Sequence, residues 1–528
     1  MVQSSAALPN ITYLYPAGAQ RGTSVEVTAA GNFDKWPVKV WASDKGVTVE
    51  PGKDKGKLSV TVAADAVPGV YWLRAFNDDG ASGMRPFVVG MLPELAEKEP
   101  NDDPKTAQKF DGSAVVNGRL EKPGDVDCFA VSLKKGQTLV ASLEANSTLK
   151  SPMDALLQIV SADGFVLDQN NDFRGLDPQL AFTAPKDGTY IARVFAFPSM
   201  PDSSIRFAGA DTFIYRLTLT TGGFADYPLP LAVSAEKPGS VAVVGWNIPD
   251  SARKLPVPAA GDTATLFHPG IANPFRVRLE PHSCFDFTTP PESQPKLVPP
   301  FSVTGRLTAG SESIFPVVGR KGQALSLQVQ SRSLGLAVNP IIRVLDSEKK
   351  LLARAEPPKL SSDTTLSFTP PADGPFWVAV GDLFNGGGQR HVFLLRVVAA
   401  EPDYDLSVTS DRFAVPPGKS ADIPVKVTRK NGFTKPVEVV AEGLPEGVKL
   451  EVKPPAGKAD PNTVVVTLSA EKPSAGGAFR LVGRVKDEPA TARTARAPLP
   501  DFEETTADLW VTVTDAPTSQ PPPKKKKE

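Results

Sequence analysis

EKEPNDD (97–103) and NGRLEKPGDVDCFAV (117–131) frame the stretch from which the rest of this chain is read. In the second segment Asp125, Asp127, Phe129 and Val131 alternate with their neighbours, so all four fall on one face of a strand. Two of those positions are acids and two are apolar, which fits a strand whose start faces a polar pocket and whose end enters a core. The EKEPNDD cluster lies on the other side of a strand-like VVNGRL segment. Carboxylates and an amide gathered from two segments make an oxygen-rich pocket of the kind that hard cations such as calcium prefer. The competing reading is that these acids only cap turns, a common duty of Asp and Asn.

Working outward, the chain repeats itself. VTGRL (303–307) matches VNGRL (116–120), GRKGQALSL (319–327) matches LKKGQTLVA (133–141), and LSFTPPADGPFWVAV (366–380) matches LAFTAPKDGTYIARV (180–194). The spacing from Val116 to Phe182 equals that from Val303 to Phe368 to within one residue, which argues for one fold used twice. In this alignment Ser311 and Ser313 stand where Asp125 and Asp127 do, while Phe315 keeps the place of Phe129. Hydroxyls do not balance a dication as carboxylates do, so the second module is expected to be metal-free. Asp373 stands opposite Asp187 inside a shared turn. Asp154, Asp163, Asp168, Asp172 and Asp187 are accordingly read as turn-formers. YPLPLAVSAEKPGSVAVVGWNI (227–248) likewise lines up with YPAGAQRGTSVEVTAAGNF (15–33), Tyr-Pro upon Tyr-Pro.

A length of 528 residues exceeds what one core supports. Pro 53 and Gly 42 make up about 18% of the chain, above the usual level of about 12%. With 41% hydrophobic residues still available for cores, that excess belongs in turns between many short strands. The fold class is therefore all-β, a string of independent sandwiches (Ig-like and jelly-roll-like) joined by short Pro-rich linkers such as TTPPESQPKLVPPF (288–301). Modules are placed at 1–92, 93–222, 223–300, 301–400 and 401–516, followed by a Lys-rich tail at 517–528 that has nothing to bury. Trp41, Trp72 and Phe87 are assigned to the first core, and 488–506 to a long loop.

Composition also excludes. A net charge of −1 provides no field to recruit nucleic acid or an anionic membrane. No run of about 18 apolar residues spans a bilayer. Two cysteines, Cys128 and Cys284, supply no disulfide framework; a single bridge between them stays open. His268, His282 and His391 lie apart, without the motifs of a metalloprotease, serine hydrolase or nucleotide-binding enzyme. No enzyme is expected.

Through EPND (99–102), NGRL (117–120), GDVDCF (124–129), KKGQTL (134–139) and FTAPKDGTY (182–190), the 93–222 module resembles the bacterial pre-peptidase C-terminal domain. The 301–400 module looks like a second copy without the EPND lead. The opening module is similar to Ig-like IPT/TIG domains of large secreted planctomycete-type proteins, and the last resembles an Ig-like domain. The resemblance implies calcium ligands at Glu97, Glu99, Asn101, Asp102, Asp125 and Asp127. It further implies an extracytoplasmic, non-catalytic binding or adhesion protein with an extracellular protein or polysaccharide as partner. The alternatives are a cell-envelope spacer and an accessory region of a secreted protease system. Gln3 to Ala7 reads as the small, polar start of a mature exported protein whose signal has been removed or lies upstream.

Overall fold

The computed structural model describes residues 8–200, 206–259, 261–289, 295–453, 460 and 462–515, nearly all of them strand or turn. The Lys-rich tail, residues 3–7 and part of the Pro-rich joint fall outside the described residues. The chain divides into two compact units: residues 1–221 with 402–528, and residues 222–401 inserted between them in sequence.

In the first unit, the opening module is a sandwich of two sheets. One runs Asn10–Tyr15, Ser24–Asn32, Lys57–Val62, Val47–Pro51; the other runs Gly18–Gln20, Arg85–Gly90, Gly69–Asn77, Lys39–Ala42. Alternation along Gly69–Asn77 sends Tyr71, Leu73 and Ala75 into the core with Phe87. Trp72 therefore faces the other way. It and Trp41 pack against Met84, Leu499 and Phe502 instead of filling the first core. Leu499 and Phe502 belong to the last module. First and last sandwiches are thus not independent but share a seam.

The last module pairs Asp403–Ser407, Lys419–Lys430, Thr463–Ala470 and Val448–Val452 against Arg412–Val415, Leu509–Val513, Ser474–Val485 and Glu438–Glu442. Part of the expected 488–506 loop is ordered as strand: Glu488–Thr494 pairs with Ser474–Val485, and Ala497–Pro498 with Thr505–Thr506. These are edge pairings held by backbone hydrogen bonds, which need no apolar periodicity to form.

The 93–221 module stacks two five-stranded sheets. The first is ordered Glu94–Ala96, Ala114–Arg119, Ile214–Thr220, Thr138–Glu144, Gln179–Thr183. The second is Gln108–Lys109, Asp127–Leu133, Gly188–Pro198, Met153–Ser161, Val166–Asn170. Between them lie Val116, Phe129, Val131, Leu157, Val194 and Leu217, each almost wholly buried. Burying a side chain of this size contributes about 1.5–3 kcal/mol. The leader Glu94–Ala96 joins its sheet in parallel. It is held there by Glu94, which takes ion pairs from buried Arg216 and a 2.6 Å hydrogen bond from Asn117 Nδ2.

In the second unit, residues 224–280 form two three-stranded sheets. Their register differs from the sequence alignment by two residues. Leu229 pairs with Ala242 as Tyr15 pairs with Thr28, so Leu229-Pro230, not Tyr227-Pro228, is the counterpart of Tyr15-Pro16. The following module repeats the strand order of 93–221: Ser283–Phe287, Phe301–Arg306, Val392–Ala399, Leu325–Gln330, Thr364–Phe368 over Ser313–Gly319, Gly374–Asp382, Pro340–Leu345, Leu351–Ala355. Ser283–Phe287, which the sequence places in the preceding module, pairs in parallel with Phe301–Arg306 of this one.

Candidate metal centre

The leader of the 93–221 module and the start of its Asp127–Leu133 strand meet at one end of the sandwich. Glu97, Glu99 and Asp127 each bring a carboxylate oxygen within 4.8 Å of the others. Asn101 is fully buried beside them, donating from Nδ2 to Glu97 Oε1 at 3.2 Å and from its backbone N–H to Glu99 Oε2 at 2.9 Å. The Asn101 carbonyl in turn accepts the Cys128 N–H at 3.1 Å, which stitches the leader to the acidic strand. Glu97 Oε2 accepts the Arg119 N–H at 2.7 Å.

Asp125 and Asp102 form a neighbouring pair. Asp125 is buried, its Oδ2 accepts the Glu121 N–H at 2.5 Å, and its carboxyl meets that of Asp102, which is otherwise exposed. Of the six residues read as ligands, the structure gathers four around one point and sets Asp102 and Asp125 to one side. Asp125 remains close enough to act electrostatically on Glu97, Glu99 and Asp127.

The electrostatics of this arrangement are unfavourable without a cation. Two carboxylates less than 5 Å apart repel by about 3–4 kcal/mol at an effective dielectric of about 20. Burial pushes the Asp127 carboxyl well above the usual range, and the Glu97 carboxylate pushes it further. Burial likewise raises Glu97, Glu99 and Asp125. Two oxygens in the pocket, Asn101 Oδ1 and Asp127 Oδ1, are buried without a hydrogen-bond partner. An orphaned buried acceptor costs about 1–3 kcal/mol. As an amide carbonyl and a carboxylate oxygen, both would be satisfied by a hard cation. The donor set, carboxylates and an amide carbonyl, is of the kind that calcium takes.

Two participants were not visible in the sequence. Tyr215, fully enclosed on the facing sheet, donates to Asp127 Oδ2 at 2.5 Å and reaches Glu97 Oε1 at 3.4 Å. Tyr15, from the opening module, donates to the Asn117 carbonyl at 3.2 Å with the Arg119 guanidinium 5.3 Å from its ring centre. Burial, then the Glu97 charge, pushes its phenol up to about 12.

The repeated module is an internal control. Ser313 pairs with Val380 as Asp127 pairs with Val194, so the alignment of serines with acids holds in register. Phe393 faces Gly305 as Tyr215 faces Gly118. Phe287 follows its leader strand at the position Glu97 holds: Phe287 pairs with Gly305, and Glu97 follows Ala96, which pairs with Asn117. Phe287 stacks on Phe315, which contacts Phe393 edge-on. Where one module has Glu97, Asp127 and Tyr215, the other has Phe287, Ser313 and Phe393. The fold does not need the acids.

Of the other acids read as turn-formers, Asp154 and Asp168 lie within the strands Met153–Ser161 and Val166–Asn170 instead, while Asp187 serves a turn. Asp187 accepts the Lys135 N–H at 2.8 Å and Asp373 the Lys321 N–H at 2.7 Å, the same contact in both modules. His282 Nε2 lies 2.9 Å from Ser302 Oγ, with Glu280 3.7 Å from the same nitrogen. In a hydrolytic relay the acid faces the other ring nitrogen, and the serine is open to substrate. Ser302 is 0% exposed, so this is a buried structural contact. Cys128 and Cys284 are free thiols.

Comparison with known proteins gives one relative, distant structural likenesses and one domain match. A probable subtilase-type serine protease of Deinococcus radiodurans is 34% identical over 144 residues, 26% of this chain and 18% of that protein. The chain thus spans less than a fifth of that relative's length. Among solved structures, a Clostridium perfringens M60 catalytic domain with two CBM51 domains aligns over 76% of this chain and 55% of its own, at 8% identity and TM-score 0.13. Salmonella alpha-2-macroglobulin reacted with methylamine aligns over 97% and 47%, at 11% identity and TM-score 0.13. Scores this low describe no common arrangement. Residues 125–196, which open on the two buried acids Asp125 and Asp127, match the bacterial pre-peptidase C-terminal domain, and the chain carries one such domain there.

Proposed function

We propose that this chain is a non-catalytic, extracytoplasmic accessory region whose 93–221 domain is stiffened by calcium. Glu97, Glu99, Asn101 and Asp127 hold the ion, and Asp125 with Asp102 add negative charge beside it. The observation that carries the reading is the exchange of Glu97, Asp127 and Tyr215 for Phe287, Ser313 and Phe393 between two modules of one topology. A pocket kept polar at a cost in one module and plugged with aromatic rings in the other is a pocket with a ligand.

The chemistry supplied by calcium is charge neutralisation. The chain's own residues do the rest: Asn101 ties the leader to the Asp127–Leu133 strand by accepting the Cys128 N–H, Arg119 joins Glu97 to Tyr15 of the opening module, and Tyr215 orients Asp127. With the leader fixed, the opening module and the 93–221 domain present their loops to a partner as one preset surface, which lowers the ordering cost of binding. That partner is an extracellular protein or polysaccharide.

The pre-peptidase match and the subtilase-type relative favour attachment to a secreted protease-type system over a free-standing adhesin or an envelope spacer. In this reading 301–400 is a second, degenerate copy of the same domain, and the flanking modules are IPT/TIG-like and Ig-like. Calorimetric titration of the full chain with calcium chloride is expected to give one strong site that Asp127→Ser abolishes. Heat-free titration up to millimolar calcium would overturn the metal reading, and peptide hydrolysis by the pure chain would overturn the non-catalytic one.

A further inference from the structure

Arg74 lies on the outer face of the Gly69–Asn77 strand, and its side chain is 0% exposed. A guanidinium out of water needs carboxylates around it. Both acids that act on Arg74, Asp411 and Asp508, come from the last module. Nη2 meets Asp411 Oδ2 at 2.5 Å, across 337 residues of sequence, and the Trp510 ring lies 5.8 Å from the guanidinium carbon. Trp510 is itself buried, packed on Phe76 at 4.6 Å and Trp41 at 6.4 Å. A second contact inserts Phe502 edge-on against Trp72 at 4.9 Å. At the rim, Arg85 meets Asp501 at 3.0 Å.

This is the anatomy of a specific interface: aromatic anchors and a matched buried charge at the centre, and outside them an ion pair whose acid, Asp501, is exposed. The cavity left along the seam is about 10 Å³, space for no more than one water. A buried ion pair adds little net stability over apolar packing, but it penalises any partner lacking the opposite charge. The opening module therefore displays a docking site that selects an acid beside a tryptophan, and the occupant is residues 402–515 of the same chain.

We propose that the opening module binds the last module as a ligand, so that the chain is a closed clasp whose ends stay joined after the backbone between them is cut. In the intact chain the covalent connection makes docking intramolecular, which helps keep the clasp shut.

The test uses the full chain with a site-specific protease sequence inserted between Glu401 and Pro402, both exposed. After cleavage, the released segment is expected to co-elute with residues 1–401 on size exclusion at about 10 µM, as it does for a dissociation constant of about 1 µM or below. Arg74→Asp or Asp411→Arg alone is expected to weaken the complex about 100-fold or more, enough to separate the pieces, because each leaves like charges facing in the seam. The double reversal, Arg74→Asp with Asp411→Arg, restores opposite charges and is expected to restore co-elution, which separates loss of docking from loss of folding. Dissociation of the unsubstituted cut chain would overturn the proposal. So would co-elution that persists in both single reversals, or a double reversal that fails to recover binding.

Discussion

Tyr215 gives its phenolic hydrogen to Asp127 across the two sheets of one sandwich, and the residues in the same register one repeat later are Phe393 and Ser313. The hydroxyl on one sheet and the carboxylate on the other are both absent from the second module. Copying the aromatic plug into the acidic module is therefore expected to produce a folded, calcium-blind protein. Asp127→Ser alone leaves the buried Tyr215 hydroxyl only its long 3.4 Å contact to Glu97 Oε1, at a cost of up to about 1–3 kcal/mol. Adding Glu97→Phe and Tyr215→Phe should recover part of that loss. Thermal melts of the single and triple variants, with and without calcium, measure both effects.

Calcium itself should raise the melting point of the unsubstituted chain. Binding to the folded state alone stabilises by about 2.7 kcal/mol when free calcium is about 100 times the dissociation constant. Asp125→Ser with Asp127→Ser should remove the rise while leaving the far-ultraviolet circular dichroism unchanged.

The pH dependence has a definite sign. Glu97 and Asp127 titrate above their ordinary values of 4.5 and 3.8, burial being the first cause for both. Their contribution to calcium-free stability is then fully present below those values and is lost as pH rises through the raised ones. Without calcium, the melting point is expected to fall as pH rises above the ordinary carboxylate range, and saturating calcium should flatten the decline. Binding must displace the retained protons, so affinity should weaken on acidification, and calorimetry in buffers of different ionisation heat should detect proton release.

Gly118 is required by the ring that crosses it. A methyl group there would stand 2.2 Å from Tyr215 Cζ and Oη, and at Gly305 it would stand 2.3 Å from Phe393 Cζ. Gly118→Ala and Gly305→Ala are each expected to destabilise by about 1–3 kcal/mol through overpacking. Only Gly118→Ala should also weaken calcium binding, measured by the same titration.

Cys128 should resist alkylation in the native chain. It is 0% exposed, and burial pushes its thiol up to about 12. Denaturation without reductant should make both cysteines reactive, since both are free. Mass spectrometry after iodoacetamide treatment counts the labels.

Much of this architecture is legible in residue order. The alternation through Asp127, Phe129 and Val131 correctly predicts one face of one strand, although Asp125 lies before that strand begins, and the equal spacing of two turn motifs exposes the repeat. What escapes is whatever depends on a face meeting something distant. Tyr215 sits in IYRLTLT, an ordinary apolar strand, 88 residues from the acid it serves. Trp41 and Trp72 obey the period of their strands, but that period says only that they oppose the core, not that another module covers them. Phe287 ends an alternating segment whose period cannot tell which of two neighbouring sheets it will join.

The parallel leader strands have a practical corollary for anyone wishing to excise a module. A boundary at residue 300, where proline content suggests one, would amputate Ser283–Phe287 and leave the Phe301–Arg306 edge with bare amides and carbonyls, an invitation to intermolecular pairing. The portable cassette starts upstream of the proline joint, at Ser283, just as its acidic cousin starts at Glu94.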